Sequence, residues 1–484
     1  MAEEARRERS PGIKLLFVAL IGMVLIVPLL LIYALVDDRQ EQAGTAQAAI
    51  NAGWGGPQVL SGPLIVVPFR TTQTQNESVD GRQVSRVIEV EKLFYISPVE
   101  NKVATKVDPE ERRKSIYRSV LFTAQIKGTA KFALPADLAR FGVTRERLMW
   151  DRAELRVGAS DARGLTTGGT LTANGKPLGV QPGKGPGASG GQGFFAFLNW
   201  DGQGDLAVDY SFGLRGSRSI SLVPRGGSTQ WQVNSAWASP SFNGAFLPEK
   251  PQISDKGFTA QYNVDKLALG QPPVGMEDYG APVIGDGAYN ISRMQDVEAA
   301  ASAGNIAAGG ADEVINGSSL AVTVSLIEPV NLYSKVDRSV KYGFLFIGFT
   351  FLAFLLFDVV GGARVAAAEY LLTGAGLVLF FVLLLAFSEV IGFTAAYLLA
   401  SAAIIGLLSS YSAAVLNSWR RGRFVGALLV GLYALLFVLL NLEAWSLLIG
   451  AVLLFVALAG VMYATRNVDW SAVGRKDEGV VDAG

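Results

Sequence analysis

Apolar residues crowd the two ends of the chain and alternate with polar ones between them. Leu15–Val36 reads LLFVALIGMVLIVPLLLIYALV, without a charge. A bilayer core of about 30 Å needs about 20 such residues as a helix, so the run predicts a membrane span. Its length exceeds the apolar core of a cleaved signal peptide, and Asp37-Asp38-Arg39 makes a poor cleavage site, so it reads as an uncleaved anchor. Pro28 falls mid-span, where a membrane helix tolerates it and kinks. The apolar signal returns after Arg338. Tyr342–Phe357, Tyr370–Ser388, Val390–Trp419, Phe424–Leu442 and Ala444–Thr465 are each uncharged. They predict five further spans, six in all.

From Asp37 to Arg338 the period changes to two. Ile88 and Val90 alternate with Glu89 and Glu91; Ala153, Leu155 and Val157 with Glu154 and Arg156. Leu206, Val208, Tyr210 and Phe212 form a longer run, followed by 218–223, 230–233 and 321–326. Turn signals separate these stretches: Gly-Gly-Pro at 55–57, Pro-Arg-Gly-Gly at 224–227, Asn-Gly at 174–175 and 243–244. Short alternating segments between Gly, Pro and Asn turns predict antiparallel strands. Pro135–Arg152 reads as a helix with Asp137 or Thr144 as cap. Gly183–Gly193 reads as a glycine-rich loop, and Ala299–Gly310 as a short helix or another loop. The expected fold is a membrane protein of six transmembrane α-helices, one N-terminal and five C-terminal. A large β-rich (antiparallel, α+β) domain is inserted after the first helix. The expected segments are a tail 1–14, helix 15–36, domain 37–338, helices 339–466 and tail 467–484.

Charge asymmetry orients the spans. Arg6, Arg7, Arg9 and Lys14 precede the first; Arg364, the cluster Arg420, Arg421 and Arg423, and Arg466, Arg475 and Lys476 fall on the same side of a six-span path. The loops around Ser388-Glu389 and Asn441–Glu443 contain no Lys or Arg. By the positive-inside rule both termini are cytoplasmic and 37–338 lies outside.

Composition narrows the chemistry. The chain has 42 Lys plus Arg, 42 Asp plus Glu, no His and no Cys. Zero net charge argues against a nucleic-acid partner. Without His or Cys there is no Ser-His-Asp triad, thiol nucleophile, imidazole proton shuttle, His-ligated zinc or iron–sulfur cluster. Gly183–Gly193 contains Lys184 but lacks the strand–GxxxxGK[ST]–helix context of a phosphate loop. Ser160-Asp161 reads as a turn with an Asx cap. Asp108, Glu110 and Glu111 beside Arg112, Arg113 and Lys114 read as a solvated charged surface. No catalytic, cofactor or metal residues are expected. The residues singled out are the acids of the membrane block, Asp358, Glu369, Glu389 and Glu443, because carboxylates at membrane depth are costly and mark ion or substrate paths.

The chain resembles the CreD family of inner-membrane, cell-envelope integrity proteins along nearly its whole length. The resemblance is carried by Trp54–Pro68, Arg113–Arg118, Gly128–Phe132, Ser160–Gly164, Gly216-Ser217 with Pro224 and Gly226, Trp237–Gly244 with Leu247-Pro248, and Gly257–Ala260. It continues through Pro329–Tyr333, Lys341-Tyr342, Glu369–Leu372, Ser388-Glu389, Ala396-Tyr397, Asn441–Glu443, Ala464–Arg466 and Asp469-Trp470. It departs where the family carries histidines: Ala366 and Ala367 stand for a His-Pro pair, and Val390 follows Ser388-Glu389 in place of His. The resemblance implies a bacterial inner-membrane protein with a periplasmic domain and a role in envelope stress. It implies no imidazole chemistry in this chain. The expected partners are the lipid bilayer and an envelope protein, lipid or glycan. The leading expectation is a non-enzymatic binding or sensing protein whose outer domain presents an apolar groove. The alternative is a transporter or lipid-handling protein using the C-terminal bundle, where Gly374, Gly376, Gly406, Gly422 and Gly426 allow close helix approach. A hydrolase acting on envelope polymers is the third.

Overall fold

A computed structural model describes residues 11–79, 82–166, 168–282, 320–326, 332–359, 365–441 and 446–466. It divides into two compact units, one of residues 1–44 with 330–484 and one of residues 45–329. Helix α1 (Pro11–Ala52) contains the first apolar run but does not stop at Asp37. It continues through Ala- and Gln-rich sequence of good helix propensity, supported by Gln42 Nε2 donating to Asp38 Oδ2 at 2.9 Å. It ends where Gly55 adopts φ 135°, a conformation closed to other residues.

The β unit opens with long hairpins: β1 (Gln58–Val79) with β2 (Arg82–Ile96), and β3 (Glu100–Lys114) with β4 (Tyr117–Phe132). Then come β5 (Glu154–Ala159), β6 (Thr170–Ala173), β7 (Lys176–Pro177), β8 (Gln181–Pro182), β9 (Gly193–Phe197), β10 (Leu206–Ser217), β11 (Ser219–Val223) and β12 (Ser228–Ser235). β13 (Pro240–Gly244), β14 (Glu249–Ser254), β15 (Gly257–Val264), the short helix α2 (Lys266–Leu269), β16 (Val274–Gly275) and β17 (Val322–Leu326) complete it. One sheet runs β13-β17-β11-β1-β5-β9-β8, with β2 paired to β1 and β16; the other runs β14-β15-β12-β3-β4-β10-β6-β7. The pairing is antiparallel except for β1 with β11 and β3 with β12. Each parallel pair joins strands far apart in sequence, as a parallel connection requires.

The two sheets close over one core. Val103 and Val107, Trp231 and Val233, Phe258, Ala260 and Tyr262, and Leu206–Leu214 at every second residue all point into it. Trp231 and Tyr262 stack with centroids 5.4 Å apart. This is the predicted alternation at 153–157, 206–212 and 230–233, and burial of one face is what fixes the register. Asn174 (φ 49°) and Gly175 (φ 75°) make the tight β6–β7 turn that two left-handed residues favour.

Two expectations fail here. Pro135–Arg152 is not a helix but three short turns, Leu138–Phe141, Arg145–Arg147 and Trp150–Arg152. Gly142 enters the left-handed region after the first turn, and neither Asp137 nor Thr144 makes a side-chain cap bond. The Asn243-Gly244 pair is not a turn. It ends β13, with Asn243 opposite Thr323 and Gly244 opposite Val322. Ala299–Gly310 lies outside the described residues.

The helical unit continues with α3 (Leu332–Lys341), α4 (Gly343–Val359), α5 (Ala367–Ile391), α6 (Phe393–Val415), α7 (Trp419–Asn441) and α8 (Ser446–Thr465). Five described stretches are helical, long and apolar enough to cross a membrane: 15–52, 332–358, 367–391, 393–415 and 419–441. α8 is a sixth apolar helix. The second span starts at Leu332, ahead of the apolar run, because α3 and α4 stack end to end with a break at Tyr342. Small residues set the helix contacts. A Cβ on Gly422 would press on the Ala413 side chain and backbone, and one on Gly426 on the Ser409 side chain, so α6 and α7 approach closely. Gly376 faces Leu408 and Gly374 faces Leu25 and Phe351, whereas Gly406 faces nothing within 4 Å. Tyr397 Oη donates to the Tyr433 carbonyl at 2.6 Å, and Phe380 packs on both rings.

Candidate functional site

The outer face of the second sheet forms a concavity with a volume of about 560 Å³. Strand alternation builds it. Residues that flank the inward Val103, Trp231, Tyr262 and Tyr210 point outward, and the register lines them up in rows. One row crosses Gln261, Gln232, Ala104, Lys127, Ser211 and Thr170 on six neighbouring strands. The next crosses Asn263, Gln230, Lys102, Thr129, Asp209 and Thr172. Successive positions lie about 4.8 Å apart, the strand spacing.

Several of these groups are already engaged. Lys102 pairs with Glu100 at 2.6 Å, Thr172 Oγ1 donates to Asp209 Oδ2 at 3.2 Å, and Asn263 Nδ2 donates to Glu249 at 2.9 Å. The side chains of Gln230, Gln232, Gln261 and Lys127 have no partner among the described residues. Their floor is stiff: Tyr210 Oη donates to Asn101 Oδ1 at 2.9 Å, Asn101 Nδ2 to the Gly62 carbonyl at 3.3 Å, and Trp231 Nε1 to Thr105 Oγ1 at 2.9 Å. Burial pushes the Tyr210 phenol far above its ordinary value, so it stays a neutral donor. The face offers amides and hydroxyls with few charges, suited to hydrogen-bonding a polyhydroxyl or amide-bearing ligand and not to moving protons. Amides, hydroxyls and a few charges rim the concavity, and aliphatic carbon of the same side chains makes up much of its surface.

The first sheet carries charged clusters that the sequence reading missed. Glu154 accepts from Arg156 at 2.7 Å and from Lys184 at 2.5 Å. Burial alone would raise the Glu154 pKa, but hydrogen bonds from Lys184 and Arg156 outweigh it and hold the carboxyl below its usual range. Buried Arg225 pairs with Asp278, which also accepts from the Gly187 amide at 2.6 Å, and Tyr279 covers the guanidinium at 4.3 Å. These pairs are structural, although Arg225 Nε is buried with no hydrogen-bond partner among the described residues. Their partners are 30 and 53 residues apart in sequence, so no local signal announces them.

The motifs weighed from sequence fall into place. Asp161 accepts from the Arg163 amide at 3.1 Å and from its guanidinium at 2.9 Å, which lowers its pKa. Ser160 Oγ accepts from the Val59 amide at 2.9 Å. The pair is a turn that ties β5 to β1. Ser189 Oγ donates to the Pro186 and Gln192 carbonyls at 2.8 and 2.6 Å, ordering the 183–193 loop from within.

Asp358 and Glu369 both lie within electrostatic range of Tyr370, in the first turns of α5, whereas Glu389 is near the other end of that helix. Glu389, near the end of α5, accepts from Tyr333 Oη at 3.2 Å. Lys335, also on α3, donates to Asn441 Oδ1 at 3.2 Å. Glu369 sits in the first turn of α5 and accepts from the Ala366 amide at 2.7 Å, a cap that accounts for it. Asp358 is 5% exposed in the last turn of α4. Glu443 lies outside the described residues.

Spanning helices on either side of an inserted two-sheet domain define a polytopic membrane protein with a β domain after its first helix. The family described as Inner membrane protein CreD matches residues 10–471. Inner membrane protein CreD of Escherichia coli (strain K12) is 31% identical over 460 residues, covering 93% of this chain and 91% of that protein. The chain belongs to the CreD family of inner membrane proteins.

Proposed function

We propose that this protein supports cell-envelope integrity and the response to envelope stress by binding an envelope component with its β domain. In this reading the domain faces the periplasm, both termini are cytoplasmic and the helices are the anchor. The observation that carries it is the polar face of the second sheet, where unpartnered amides and a lysine repeat at strand spacing over a rigid floor. That lining favours an extended polar ligand, a glycan above a lipid, and no catalytic role is assigned to it. The test is co-sedimentation of the full-length protein in nanodiscs with purified cell-wall sacculi. Gln232→Ala with Lys127→Ala is expected to abolish retention while the protein still melts as wild type. Equal retention of the double variant overturns the reading.

The orientation has its own test. A cysteine at Asn243 is expected to react with an impermeant thiol reagent in cells with permeabilised outer membranes, and one at the exposed Arg420 to be protected. The reverse labelling would sink it. A second reading, transport through the bundle, draws on buried hydroxyls of Thr350, Thr373, Ser412 and Tyr433 that have no partner among the described residues. It requires Glu389→Gln to abolish complementation of a deletion strain; normal envelope resistance in that variant counts against it.

A further inference from the structure

The β3–β4 hairpin ends in a two-residue turn, Ser115-Ile116, with Arg112, Arg113 and Lys114 entering it and Arg118 leaving it. Arg112 is already committed: its guanidinium lies over Trp54 at 4.1 Å and its Nε bonds Glu110 at 3.1 Å. Arg113 and Arg118 are different. They are direct partners across the hairpin, so both guanidinium groups leave the same face, and like charges directly opposite destabilise a strand pair. Both are exposed, and neither they nor Lys114 make an ion pair among the described residues. Glu111, next on that face, pairs with neither. Two facing guanidiniums form a clamp for a phosphate, which each can bind through two parallel N–H bonds. At the apex Ile116 is 39% exposed, an apolar side chain ringed by cations.

The chain supplies the anion. The first residues of β4 are fastened to the last turns of α1: Gln47 Nε2 donates to the Arg118 carbonyl at 2.9 Å and Ser119 Oγ to Asn51 Oδ1 at 2.7 Å. Gln47 follows Val36, the last residue of the apolar run, by eleven residues, a tether of at most about 40 Å of chain. Chain length alone keeps the tip within reach of a bilayer surface, whichever side the domain occupies. Each Lys or Arg near such a surface gains attraction only if the lipid is anionic. We propose that this tip is an anionic-phospholipid contact in which Arg113 and Arg118 clamp the headgroup phosphate, Lys114 adds charge and Ile116 enters the headgroup layer. It stands apart from the polar face of the second sheet and from the orientation of the chain.

Because the chain has no cysteine, Ile116→Cys accepts a single nitroxide label. In full-length protein in phosphatidylglycerol nanodiscs the label is expected to be reached more readily by oxygen than by a water-soluble nickel chelate. In phosphatidylcholine nanodiscs, or with Arg113→Gln and Arg118→Gln, that preference is expected to reverse. A water-like label in every bilayer overturns the proposal, and so does a lipid-like label that ignores lipid charge. Inorganic phosphate added to phosphatidylcholine nanodiscs separates a lipid contact from a free-anion site: melting raised by phosphate as much as by phosphatidylglycerol overturns the lipid assignment. In unlabelled protein the double variant is expected to melt no lower than wild type in phosphatidylcholine, where the facing charges only repel. It is also expected to lose the rise in melting temperature that phosphatidylglycerol gives wild type. An equal fall in both lipids would make the pair merely structural. Sacculus binding retained by this variant separates the fate of the tip from that of the polar face.

Discussion

Leu155 and Leu399 are the same side chain in two different solvents. Leu155 sits on a strand with Glu154 and Arg156 beside it and is fully buried between two sheets. Leu399 sits on a helix with almost nothing but apolar neighbours and is 52% exposed. In water an exposed leucine costs free energy, so the β unit must sort its residues by face and close one core. In lipid an exposed leucine costs nothing, so the helices need no sorted face, and their contacts come from close packing at small residues and aromatic rings. The large exposed apolar side chains accordingly fall mostly in the helices. The β unit has a register that one residue of slip would destroy; the helical unit has contacts that one methyl group would push apart.

The sharpest way to break that contrast is at the centre of the sandwich. Trp231→Ala removes a side chain 1% exposed, stacked on Tyr262 and bonded to Thr105, and is expected to destabilise the β unit by about 3–5 kcal/mol. Circular dichroism melts should show the β signal lost earlier while the helical signal holds. The converse test is Gly422→Leu, whose added side chain meets Ala413 across the α6–α7 contact. Overpacking of this kind costs about 1–3 kcal/mol, read as earlier loss of helix in detergent titration with the β melt unchanged.

Acid should separate the units more gently. The Glu154 carboxyl titrates below its usual range in the folded protein, so its stabilisation is complete above the unfolded value of about 4.3 and is lost as pH falls through the folded value. The β melt is expected to begin falling as pH drops below about 5 and to go on falling through the folded-state value. Glu154→Gln, which strands Arg156 and Lys184, should melt lower at pH 7 and lose less on acidification. Parallel pH profiles for the two proteins would remove Glu154 from the account. The smallest effect is expected at Leu399→Ala, within about 0.5 kcal/mol. A cost there as large as that of a buried leucine would mean that this face of α6 is covered by protein, not lipid.

How much of this was legible depended on range. The six apolar runs are local and declare themselves, as do the alternating stretches at 153–157, 206–212 and 230–233 and the Asn-Gly turn at 174–175. The helix expected at 135–152 fails because helical spacing is a weak signal when Gly142 breaks the run and the apolar residues bury against a sheet formed elsewhere. The Asn243-Gly244 turn fails because β17, about 80 residues later, captures that segment as a strand. Of the membrane acids, Glu369 reads from sequence as a costly charge and proves to be a helix cap. The polar rows, the Glu154 cluster and the facing Arg113 and Arg118 each required strand register.

The sequence by itself determined which solvent each segment inhabits, because transfer free energy is summed residue by residue along a helix or along one face of a strand. It thereby determined the membrane class and the inserted β domain. Only the tertiary structure decided which polar side chains share a surface. Rows across six strands, a buried carboxylate between two cations and a pair of opposed arginines are products of register, and register is settled by the whole core closing at once.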